Sequence, residues 1–206
     1  MSIDLKKTLD AYRAKRGEFR VVEVPPMQYL MVDGAGDPNT AAAFADAVTA
    51  LYPVAYGLKF AARKELGIDT VVMPLEGLWH APDMDVFTAR RDKSAWHWTL
   101  MIMVPDHITR EMFERALGGA AAKKDASPSL GTVRLETLEE GLCVQTLHLG
   151  SFDDEGPTLD DLHHRFIPEH GLAMRGIHHE VYFSDFRRVE PAKRRTILRQ
   201  PVTRLT

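Results

Sequence analysis

Glu180 and Tyr182 stand two residues apart in the segment HHEVYFSDF, which runs from His178 to Phe186. In an extended strand, residues two apart point to the same side. A carboxylate, a phenol and, behind them, His178 would therefore share one face. A carboxylate on an inward face is costly unless it is paired, and burial drives its pKa upward. A glutamate beside a tyrosine can also move protons: the acid takes one from water while the phenol donates to a developing oxyanion. Spacing alone equally allows both side chains to face solvent, or Tyr182 to be a core aromatic with a wetted hydroxyl.

A second acid and ring occur in PLEGLWH, as Glu76 and Trp79. Aromatic walls with a carboxylate suit a flat or cationic organic ligand, because the rings offer apolar area and a negative face and the acid a counter-charge. Tyr52, Tyr56, Lys59 and Phe60 fall at helical spacing in LYPVAYGLKF. Core packing is the default for such a stripe, with Tyr56 able to turn its hydroxyl into a cleft. In WHWTLMIM, Trp96 and Trp98 share one strand face; Trp98 is either a core aromatic or a pocket wall. The histidine pairs 163–164 and 178–179 point apart on a strand or helix, and no H-E-x-x-H spacing occurs. Neither a metal nor a cofactor is expected. A Gly-rich phosphate loop and a G-x-S-x-G elbow are also missing.

These side chains need elements to hold them. Leu5, Leu9 and Tyr12 predict a short lead-in helix. A strand interrupted at Pro25–Pro26 follows, and Thr40 is placed to cap a long helix that Pro53 should kink or restart. Strands are predicted over DTVVMPLEGLWHA and WHWTLMIMVP, with PDMDVFTARRDKS between them. A helix over TREMFERALGGAAAKK should close at Gly118–Gly119. The second half replays the order: strand, turn at Glu140–Gly141, strand, acidic loop, the helix TLDDLHHRFIPEHG, then the strands IHHEVYFSDF and RRTILRQPV. The expected architecture is α+β: a tandem duplicated strand-helix-strand-strand unit, with two antiparallel sheets related by a pseudo-dyad and a ligand cleft between the repeats. The boundaries drawn are 1–18 for the N-terminal helix, 19–125 for the first repeat and 126–206 for the second, all within a single domain 1–206.

Bulk properties narrow the function. At 206 residues, 45% hydrophobic and 27% charged, the chain can bury a real core. A net charge of −3 argues against a broad nucleic-acid footprint. The basic run AKRRTILRQ is expected to be a solvated strand edge. Cys143 is the sole cysteine, expected to be buried and inert, which excludes an intrachain disulfide. No segment reaches membrane-spanning length and no signal-peptide core opens the chain, so a cytoplasmic location is expected.

The stretches VPPMQYLMVDGAGDPNT, LYPVAYGLKF, VVMPLEGLWH, WHWTLMIMVPD, EGLCVQTLHLGSFDDE, HHEVYFSDFRR and RRTILRQPV together resemble the GyrI-like small-molecule-binding family, in order and over nearly the whole chain. The resemblance implies a duplicated α+β fold. It also implies a pocket in which Glu180 is the acid and Tyr182 its phenol partner. Glu76 and Trp79 would form the opposite wall, with Tyr56 reaching in from the helix. Relatives of this kind sense cationic drugs within transcription regulators, hydrolyse cyclopropane-bearing alkylating toxins, or modulate DNA gyrase. The sequence departs from the family pattern at His80, Phe152 and Phe186. The expected partner is a small organic ligand, bound and, in the hydrolase reading, turned over by Glu180 and Tyr182; a gyrase-modulating interaction module is the alternative. A DNA-binding regulator is disfavoured, since only about sixteen residues precede the first strand, too few for a helix-turn-helix.

Overall fold

The computed structural model describes residues 2–81 and 92–205. The connector expected over PDMDVFTARRDKS lies for the most part outside the described residues. The chain is α+β, with nine strands among the described residues, whose described ladders are all antiparallel. It forms two compact units. The first gathers Met1–Thr8, Met27–Met73 and His80–Leu138; the second gathers Leu9–Pro26, Pro74–Trp79 and Glu139–Thr206. The units thus exchange strands relative to the two halves of the sequence.

In the first unit, β2 (Met27–Ala35) is the middle strand, flanked by β4 (His97–Val104) and β5 (Arg134–Leu138). Helix α1 (Ala42–Leu66) buries Phe44, Val48, Leu51, Val54, Leu58 and Ala62, a three-to-four spacing that keeps one apolar stripe inward. The helix continues through Pro53 for 25 residues, without the expected restart. Its N-cap is Ala41 rather than Thr40, and Gly67, at φ 71°, ends it in the left-handed conformation that glycine adopts freely. Helix α2 (Arg110–Ala121) also runs on past Gly118–Gly119. Gly57 of α1 lies against Ala116 of α2, where even a β-carbon would come within 3.3 Å.

In the second unit the strand order is β1 (Arg20–Val24), β6 (Gly141–Leu149), β9 (Arg195–Arg204), β8 (His178–Tyr182) and β3 (Leu75–His80), with β7 (Leu172–Met174) on β9. The duplication shows in the pairing: β2 pairs β4 and β5, as β6 pairs β9 and β1. One helical segment covers part of this sheet: α3 (Gly156–Asp160), a π-helical turn (Asp161–Phe166) and α4 (Ile167–Glu169). Leu162 and Ile167 pack from it onto Val144, Leu172 and Val202.

The lead-in helix expected over residues 1–18 is replaced by two 3-10 turns, Leu5–Lys7 and Asp10–Tyr12. Tertiary bonds override the local periodicity. The carbonyl of Ala11 accepts from Arg199 at 2.5 Å, and the Tyr12 hydroxyl donates to Glu76 at 2.6 Å. Arg199 also corrects the reading of AKRRTILRQ as a solvated edge, because its side chain is fully buried.

Candidate functional site

Strand β8 presents different chemistry on its two faces. Its register with β3 sets Tyr182 opposite Leu75, Glu180 opposite Gly77 and His178 opposite Trp79. Opposed residues share a face, so Glu180, Tyr182, His178 and Trp79 point to one side of the sheet. His179 and Val181 point to the other, together with Glu76 and Leu78.

The reverse face holds a closed polar network. The His179 ring bonds Glu76 Oε2 through Nε2 at 2.9 Å and Glu140 Oε1 through Nδ1 at 2.9 Å. Arg199 donates to Glu140 Oε2 at 2.8 Å and to Gln145 Oε1 at 2.9 Å. Burial opposes the charge on His179, but Glu140 and Glu76 outweigh it and raise its pKa. Burial likewise opposes ionisation of Glu140, yet His179 and Arg199 bring its carboxyl down to about 2. Two acids and two bases satisfy one another in the dry interior, the condition under which buried charge is tolerated.

On the front face the polar groups are not closed. Trp79 Nε1–H donates to the Tyr182 hydroxyl at 2.8 Å, reaching across Gly77. Burial and then the charge and hydrogen bond of Glu180 push the Tyr182 phenol well above its ordinary value, so it keeps its proton. Phe152 meets Tyr182 edge-on, with ring centres 5.6 Å apart, and Phe186 stands 6.4 Å from the same ring. Two positions where the sequence departs from the family pattern therefore line this face.

Glu155 is the residue that sequence reasoning missed. It is 4% exposed, its Oε1 has no hydrogen-bond partner, and burial followed by Glu180 and Asp153 holds its carboxyl well above the usual carboxylate range. The protonated acid is favoured there, next to Glu180, which is itself 12% exposed. A neutral carboxylic acid held in this way can donate a proton. The acidic loop SFDDEGP gave the only sequence signal for it.

Residues 17–202 match the GyrI-like small-molecule-binding domain. The chain belongs to the GyrI-like small-molecule-binding family. This GyrI-like chain is similar to an uncharacterized conserved protein from Listeria innocua, at 38% identity over 98% of its own length and 100% of the other, with a TM-score of 0.88. It is also similar to a hydrolase from Listeria innocua, at 36% identity over 98% and 100% of the two chains, with a TM-score of 0.85. The C-terminal domain of EcmrR, at 10% identity over 91% and 98%, shares the fold with a TM-score of 0.55. No curated protein matches the chain.

Within the GyrI-like fold, Glu76, Trp98 and Tyr56, also singled out in the sequence, lie apart from the front face. Glu76 and Trp79, expected on one wall, are three residues apart on a strand and so face opposite ways; Glu76 is fully buried in the reverse network. Trp98, read as either a core aromatic or a pocket wall, is core in the first unit. Its ring meets Phe44 edge-on at 5.2 Å and lies so close over Gly34 that a β-carbon there would stand 2.1 Å from it. Tyr56, expected to reach inward from the helix, is 47% exposed on α1, with its ring 6.5 Å from Tyr52 and 6.3 Å from Phe60. Among the described residues, no group of three or more His, Cys, Asp or Glu is suited to hold a metal, and no helix is long and apolar enough to cross a membrane.

Proposed function

We propose that this GyrI-like protein binds a flat organic electrophile on the front face of β8 and hydrolyses it. The observation that carries this reading is the buried Glu155 carboxyl interacting with Glu180, whose strand face also carries the hydrogen-bonded Tyr182 and Trp79. The likeness to a Listeria innocua hydrolase supports the same reading.

The chemistry follows from the side chains on this face. Glu180 takes a proton from water as the water oxygen forms a bond to a ring carbon of a strained, conjugated electrophile such as an activated cyclopropane. The ring carbon–carbon bond breaks, and its electron pair passes through the conjugated system to a carbonyl oxygen. Tyr182, whose hydroxyl accepts from Trp79 and is hydrogen-bonded to Glu180, turns its proton to that oxygen. Glu155, favoured as the neutral acid, supplies the proton that restores the phenol. Trp79, Phe152 and Phe186 provide the apolar area that holds a planar ring system. The site takes aromatic cations on the same grounds, with Glu180 as counter-charge.

Incubation with strained electrophiles, followed by mass spectrometry for the water adduct, tests the reading. Glu180→Gln is expected to abolish the adduct while leaving affinity within a few-fold. A Glu180→Gln protein as active as the parent would remove the carboxylate from the mechanism.

A further inference from the structure

Three ring nitrogens beside Glu180 are not used by the proposed hydrolysis. His178 lies on the front face with its Nε2 3.6 Å from Glu180 Oε1, beyond hydrogen-bond reach, and its side chain is 10% exposed. Neither His178 Nδ1 nor Nε2 has a hydrogen-bond partner, and His163 Nε2, also buried, has none. The two rings meet edge to face, with centres 5.9 Å apart at 85°. Buried polar atoms in native proteins are nearly always satisfied. Three orphaned nitrogens in one place therefore point to a group that arrives from outside.

The fold places this pair deliberately. His163 sits in the π-helical turn Asp161–Phe166, whose extra residue widens one turn of the segment; such turns gather at functional sites. Leu162, its neighbour, is locked in the core, which fixes the turn against the sheet. His178 opposes Trp79 across the β8–β3 ladder, so the imidazole pair adjoins the aromatic surface.

We propose that His163 and His178 form a second, polar subsite that hydrogen-bonds a neutral donor–acceptor group, a hydroxyl or secondary amide, carried on the edge of the aromatic ligand. The inference rests on the proposal that the Tyr182 and Trp79 face takes the ligand's ring system. A neutral imidazole carries one donor and one acceptor nitrogen, which together match a group that both gives and accepts a hydrogen. An anion is disfavoured because the Glu180 carboxyl group stands alongside. Burial and the neighbouring His178 and His164 rings bring the His163 imidazole down to about 3, so His163 does not present charge of its own.

Matched probes separate this inference from the reading beneath it. Binding of 5-hydroxyindole and 5-methoxyindole, measured by calorimetry, isolates the O–H donor on a constant ring. The wild-type protein is expected to prefer 5-hydroxyindole by about tenfold, the scale of one well-placed hydrogen bond. His178→Phe is expected to reduce that preference to about one while still binding both indoles, and His178→Gln, which restores a donor and an acceptor, to recover part of it. Because His178→Phe removes two orphaned polar atoms, its melting temperature should not fall, which shows that the variant is folded. Equal affinity of the wild-type protein for the two probes overturns the subsite alone. A wild-type protein that binds neither probe at millimolar concentration overturns both the subsite and the aromatic site on which it depends.

Discussion

The Trp79 indole N–H donates to the Tyr182 hydroxyl at 2.8 Å, across the one position of the β3 front face that carries no side chain, Gly77. A β-carbon at Gly77 would come within 3.0 Å of both Trp79 Nε1 and Tyr182 Oη. The glycine is there for space rather than for backbone freedom, and the hydrogen bond exists because of it.

Gly77→Ala should therefore displace the indole, weaken aromatic ligands and destabilise the fold by about 1–3 kcal/mol, the usual effect of overpacking. Gly118→Ala is the control. It lies inside α2 with nothing near its β-carbon position, and should stabilise by about 0.5–1 kcal/mol. Urea unfolding of the two variants measures both, and equal midpoints would refute the packing account.

Glu155 makes stability fall with rising pH. Its folded-state pKa is raised above 4.5, so the native state holds this proton more tightly than the unfolded chain does. The contribution is complete below the unfolded value and is lost as pH climbs toward the folded one. Glu155→Gln keeps the shape without the ionisation. Melting curves taken between about pH 5 and pH 8 should show the wild-type midpoint declining relative to the variant. Parallel curves would mean that Glu155 does not resist ionisation.

Glu140 acts in the opposite direction. Its carboxyl is held at about 2, against an ordinary 4.5, so its contribution is present above the unfolded value and disappears as pH drops toward the folded one. Glu140→Gln leaves Arg199 and His179 with an uncompensated buried charge and should cost about 3–5 kcal/mol. Denaturant titration at pH 7 checks the size, and acid unfolding checks that the wild-type slope between 4.5 and 2 flattens in the variant.

Acid should also act through His163. The imidazole is held neutral down to about 3, while the unfolded chain protonates it near 6.5. Native stability on this account is lost as pH falls through that window. His163→Leu is expected to shift acid unfolding to lower pH, monitored by tryptophan fluorescence; an unchanged midpoint would place the ring in contact with water.

Period-two alternation made the front face legible: Glu180, Tyr182 and His178 share a side of β8 as their spacing requires. The same rule, applied to an interval of three, separates Glu76 from Trp79; the likeness of the two halves obscured it. Pro53 misled because the surrounding stripe, from Phe44 to Ala62, holds α1 together by packing stronger than one missing hydrogen bond. Glu155 was hidden because a carboxylate in an acidic loop reads as solvated, and only tertiary closure buries it. Arg199 was hidden for the same reason: its partners Ala11, Glu140 and Gln145 come from two segments far apart in the chain.

The locked reverse side of β8 has an evolutionary corollary. Because His179 and Arg199 anchor the sheet from behind, substitutions at 178, 180 and 182 would, on the proposed function, alter what is recognised without loosening the scaffold that displays them. Such a strand works as an interchangeable cassette. New ligand preferences should be reachable through one or two front-side replacements, and randomising 179 or 199 should yield mostly insoluble chains.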